Sequence, residues 1–139
     1  MMRIIQLILL VLVCITGTGC AVFVIGDSAR HPDIIERSQQ TAAGVAHLWK
    51  AEIDSGNYTA ASELMRKADG TPMLAIERFD LTDELQRWNK RIGGKPITLT
   101  RVDTVSSTSR IVTLTIDNLR AVQCSTVQAG DLWFISQVK

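Results

Sequence analysis

Histidine, cysteine and aromatic residues are scarce in this chain, and the scarcity removes several classes of function. Its two histidines, His31 and His47, lie 16 positions apart with no cysteine or carboxylate grouping at ligand spacing, so no metal site is expected. Of three cysteines, Cys14 and Cys20 fall in the first 20 residues and only Cys124 lies beyond them, which excludes an internal disulfide in the remainder. Cys124 stands between Val122 and Thr126 in an alternating stretch and reads as a small buried hydrophobe. No phosphate-cradling glycine loop and no serine elbow occurs, so no cofactor is implied. No surplus of one charge exists either. All 14 acidic residues lie at or after Asp27 and 14 of the 15 basic residues at or after Arg30, so the chain beyond the first 26 residues is formally neutral. A dedicated nucleic-acid binder would carry a basic excess on one face.

What is present divides the 139 residues into two parts, 1–26 and 27–139. Arg3 is followed by Ile4 to Ile15 with Gln6 as the one polar side chain, the length of a signal-peptide core. Thr16-Gly17-Thr18-Gly19 then precedes Cys20, and Thr18-Gly19-Cys20 resembles the cleavage and lipid-attachment box of bacterial lipoproteins. At Gly17 that family usually has leucine. The alternative joins Ala21 to Gly26 to the first run, making about 34 Å of helix, enough to span a bilayer as a transmembrane anchor with Arg3 on the cytoplasmic side. Plain secretion after cleavage is the third reading; all three place residues 30–139 beyond the cytoplasm, and the expected location is the bacterial cell envelope with the N-terminus held at a membrane.

Within 27–139 the apolar period changes once. Ile34, Ile35, Ala42, Val45, Leu48, Trp49 and Ile53 recur at helical spacing and predict one amphipathic helix from Pro32 to Asp54, stopped by Ser55-Gly56. Asn57 caps a second helix through Met65, ending on Arg66-Lys67, and Asp69-Gly70-Thr71-Pro72 is a turn. A third helical stretch covers Met73 to Ile92 with a break near Asp80 and ends at Gly93-Gly94. From Lys95 the period is two: strands at 96–105, 110–117, 120–127 and 132–138, joined by Ser106 to Ser109, Asp117-Asn118 and Ala129-Gly130-Asp131. The class is α+β, with helices packed on a curved four-stranded antiparallel meander.

Leu48-Trp49-Lys50-Ala51, Asp54 to Ala61, the alternation Ile111 to Ile116 and the closing Leu132-Trp133-Phe134-Ile135 together resemble the nuclear transport factor 2-like superfamily, and within it small membrane-anchored or lipoprotein members of bacteria. The resemblance implies a cone of helices on a curved sheet with an apolar pocket, which Trp49, Tyr58, Trp88 and Trp133 are candidates to line. Core packing is the competing role for all four. Members of the superfamily differ widely in function. Catalysis there, as in ketosteroid isomerase, requires a carboxylate base inside the cone. Asp103 alternates on the side of Ile97 and Leu99 and is the carboxylate such chemistry would need, unless a bulge or exposure removes it; His47 reads as a flank residue and Asp54 as part of a helix-ending turn. No catalytic residue is assigned. The expected role is a non-enzymatic, membrane-tethered binding or interaction module, with protein docking or self-association through the sheet. An envelope-assembly subunit, as in secretion or conjugation machines, and a small-molecule binder or weak isomerase or lyase are the alternatives.

Overall fold

A computed structural model describes residues 34–139. The leader, Cys20 and the expected helix start at Pro32 lie outside the described residues. Among the described residues four helices, α1 (Ala42–Ser55), α2 (Tyr58–Glu63), α3 (Ala75–Asp80) and α4 (Thr82–Ile92), precede four strands, β1 (Ile97–Thr104), β2 (Ser109–Ile116), β3 (Arg120–Ala129) and β4 (Leu132–Val138). The strands form one antiparallel sheet in chain order, so the α+β meander is present. Among the described residues no helix is long and apolar enough to cross a membrane.

The first helix begins ten residues later than its apolar period suggests. Thr41 takes an extended conformation and its Oγ1 accepts the Gly44 amide at 2.9 Å, so a local cap starts the helix there. Upstream, the Trp133 amide donates to the Gln39 carbonyl at 2.8 Å and Gln39 Nε2 returns a bond to the Trp133 carbonyl. This tertiary anchor outcompetes helix extension, and Ile34, counted in the apolar stripe, is 95% exposed. The segment folds back so closely that a Cβ on Gly44 would approach the Ser38 carbonyl oxygen to 2.6 Å. Gly56, at φ 72°, closes the other end.

A second correction concerns α2, which ends at Glu63 rather than at Met65. Leu64 and Met65 leave it to run beside β4: Met65 bridges Ile135 in parallel, Ile135 donates to the Leu64 carbonyl at 2.9 Å and Arg66 to the Ile135 carbonyl at 2.8 Å. Arg66-Lys67 therefore caps no helix. The Arg66 guanidinium instead lies 3.9 Å from the Phe134 ring centre. The expected break of the third stretch falls at Leu81, between α3 and α4. Asp117, Asn118 and Leu119 connect β2 to β3, the first two in left-handed backbone at φ 54° and 56°, and the Leu119 amide donates to the Ile116 carbonyl at 3.1 Å.

The core lies between α1, α4 and one face of the sheet. Val45, Ala46, Trp49 and Ile53 from α1 meet Leu85, Trp88 and Ile92 from α4 and Val112, Leu114, Ile116, Val122, Cys124 and Ile135 from the strands, all buried. The other face is more open, with Leu99 and Val105 exposed.

Candidate functional site

Two surfaces carry the chemistry of this domain: a cleft where α1 meets β1, and the outer edge of β1. In the cleft the C-terminal half of α1 presents His47, Lys50, Ala51 and Asp54 one helical turn apart, facing Lys95, Pro96 and Ile97 and the side chain of Arg37. It encloses about 290 Å³. His47 Nε2 lies 2.8 Å from Thr100 Oγ1 on β1. Burial holds the imidazole below its ordinary pKa, and the Arg37 guanidinium adds to the effect, so the neutral ring is favoured.

Lys50 is 2% exposed, unusual for lysine, and its ammonium is satisfied by Asp54 Oδ1 and by the Lys95 carbonyl at 3.0 Å. Asp54 Oδ1 also accepts the Gly94 amide at 2.9 Å. Asn89 adds a bond from Nδ2 to the Ile53 carbonyl. These bonds tie the end of α1 to the α4–β1 connection and place a buried positive charge on the cleft wall.

The four aromatic candidates belong to the core cluster or pack against it, and two of them, Trp49 and Trp88, touch. Trp49 is fully buried, edge-on to Trp88 with ring centres 6.3 Å apart at 75°, and among the described residues its indole Nε1 has no hydrogen-bond partner. Trp88 also borders a shallow groove with Glu84, Arg87, Arg91, Val138 and Lys139, the Arg91 guanidinium lying 5.5 Å from its ring centre. Trp133 is buried beside Arg110, and Tyr58 packs against the outside of the core.

Asp103 does not enter the domain interior. The pairing of β1 with β2 slips between Ile97 and Leu99, so Ile97 opposes Ile116 on the helix-covered face while Leu99 opposes Thr115 and Asp103 opposes Ile111 on the other. There Asp103 pairs with Arg101 at 3.0 Å, both exposed. Cys124 is fully buried and its thiol is pushed up to about 12 by desolvation. Among the described residues no group of three or more His, Cys, Asp or Glu is placed to hold a metal.

The second surface follows from the two sheet edges. Beside β4 the Leu64–Arg66 segment supplies backbone partners, whereas among the described residues β1 pairs with β2 alone. Leu99 is 63% exposed, Val102 45% and Val105 62%. Leu74, Ile76 and Phe79 on and before α3 form a separate exposed apolar group. Sequence reasoning overlooked Lys50, although its spacing from Asp54 and its place among Ala46, Trp49 and Ile53 could have marked it. No protein-family model matches the chain, and no curated protein matches it.

Proposed function

We propose that this chain is a membrane-tethered, non-enzymatic interaction module of the bacterial cell envelope, built as a nuclear transport factor 2-like cone, which docks a protein along the outer edge of β1. The observation that carries the reading is the asymmetry between the edges: one has backbone partners beside β4, while the other is an eight-residue strand exposing Leu99 and Val102, with Val105 exposed directly after it. An open edge with apolar side chains is the ordinary template for strand addition. The apolar run Ile4 to Ile15 supports the tether, and the order of long helix, short helix, paired helices and late meander supports the superfamily. Against catalysis stand the commitments of the ionisable groups: Asp103 to Arg101 on the exposed face, Asp54 to Lys50 and Gly94, His47 to Thr100.

The test replaces Leu99 by a photo-cross-linking amino acid in the full chain and irradiates membranes of the expressing host, with Phe79 on α3 as control. A discrete adduct at position 99, absent at 79 and lost in Val102→Pro, is the expected result. No adduct at any β1 position overturns the reading.

The α1–β1 cleft favours a second reading, a small-anion binder using Arg37 and Lys95 against the apolar wall of Pro96 and Ile97, with the Asp54 carboxylate in the same cleft held by Lys50. Titration with acetate and inorganic phosphate, followed through the His47 ring resonances, tests it; unmoved resonances at millimolar anion discard it.

A further inference from the structure

The side chains of residues 99–105, the last six of β1 and the residue that follows it, are self-complementary when the segment is laid antiparallel on itself. About Val102 as centre, Arg101 faces Asp103, Thr100 faces Thr104 and Leu99 faces Val105 in both directions. From this we infer that the occupant of the β1 edge is a second copy of this chain, paired β1 to β1 about a two-fold axis through Val102. The inference rests on the reading of β1 as the docking edge and names its partner.

Backbone geometry meets the same register. The Val105 amide donates to the Ser109 carbonyl at 3.1 Å, so residues 105, 103, 101 and 99 turn their amides and carbonyls toward β2. On the far side of β2 the Gln128 amide donates to the Thr108 carbonyl at 2.8 Å, which fixes the same alternation from β3. Thr100, Val102 and Thr104 therefore aim their amides and carbonyls outward. In the Val102-centred register these three residues pair with Thr104, Val102 and Thr100 of the second copy, making on the order of six backbone hydrogen bonds.

Side chains agree face by face. Thr100 and Val102 oppose Leu114 and Val112 across β2, so they lie on the helix-covered face, where the two Val102 side chains meet at the axis. On the other face each Arg101 gains the second copy's Asp103 besides its own, and Leu99 covers Val105. Oppositely charged and apolar cross-strand pairs favour a pairing, and like charges directly opposite oppose it. A shift by two residues sets Arg101 against Arg101 or Asp103 against Asp103, so charge selects this register over its neighbours. Confinement to a membrane raises the effective concentration of the two copies.

The experiment uses two differently tagged full-length copies co-expressed in a bacterial host, with cysteine cross-linking of isolated membranes and the wild-type chain as baseline for Cys14 and Cys20. Val102→Cys gives a self-adduct above that baseline, while Leu99→Cys gives one only beside a Val105→Cys copy. Adding Arg101→Asp or Asp103→Arg to Val102→Cys abolishes self-pairing, and mixing the two charge variants restores it, which a folding defect would not do. Self-pairing at position 99 without pairing at 102 overturns the inference, as does an adduct of β1 with a different protein and none with itself; the latter leaves β1 as a docking edge. Capture of nothing by β1 cysteines or photo-cross-linkers overturns the inference and the docking reading together.

Discussion

Lys50 and Asp54 stand one turn apart on α1 as an ion pair of unequal burial, the ammonium enclosed and the carboxylate partly open to solvent. That inequality makes the two residues respond differently to removal. Asp54→Ala leaves a buried ammonium with the Lys95 carbonyl as its remaining partner, at a cost of about 2 kcal/mol, below the full value for a buried pair because Asp54 is partly solvated. Lys50→Met keeps the volume and leaves a carboxylate that still accepts the Gly94 amide and reaches water, at a cost of about 1 kcal/mol or less. Urea unfolding of both variants measures the difference, and equal losses would mean that the ammonium is solvated.

Acid should weaken the fold before ordinary carboxylates titrate. Because the folded pKa of His47 lies below the ordinary imidazole value of about 6.5, the unfolded chain binds the proton more readily. The stabilising preference for neutral imidazole is thus fully present above pH 6.5 and is lost as pH falls through the folded value. Asp69 and Glu77, both lowered chiefly by hydrogen bonds from Thr71 and Leu74, lose their contributions at still lower pH. Midpoints of thermal unfolding from pH 7.5 down to 5 should fall in the wild type and stay flatter in His47→Gln.

Cys124 should resist alkylation while the chain is folded. A thiol held near 12 and wholly enclosed offers almost no thiolate at pH 8, so maleimide modification of a Cys14→Ser/Cys20→Ser chain proceeds through opening of the fold. Mass spectrometry should find slow labelling in buffer and complete labelling in denaturant. Rapid labelling in buffer would place β3 near the surface.

Asn118→Gly should stabilise. Residues 117 and 118 both hold left-handed backbone, and a glycine at the second position relieves the Cβ penalty, a gain of up to about 1 kcal/mol. Calorimetry should register an increase of a few degrees, with Asn118→Val falling by a similar or larger margin.

β2 and β3 were legible because each has a face against the helices, and alternation records that face directly, whereas β1 was legible from its threonines and β-branched residues. The Asp117-Asn118 turn was legible from its residue types alone. Helix ends were harder. Ile34 and Ile35 continue a helical period, and nothing near them announces that Gln39 is claimed by Trp133, some ninety residues away. Leu64 and Met65 are good helix formers pulled out of α2 by the backbone of Ile135. For the site, the slip between Ile97 and Leu99 moved Asp103 to the opposite face, and neither neighbour of Thr98 is a glycine or proline that would signal it. Lys50 escaped notice because lysine on a helix is normally solvated. The symmetry of residues 99–105 is visible in the bare sequence, but it acquires meaning only once β1 is known to be an edge.

The backbone bonds that Leu64 to Arg66 make beside β4 set a limit on growth. A sheet with two sticky borders adds subunits without end and becomes a fibre; a sheet with one has a valence of one. If β1 takes up another copy, the newcomer brings a β4 border already engaged at Ile135 by Leu64 and Arg66, and such an assembly would close at two.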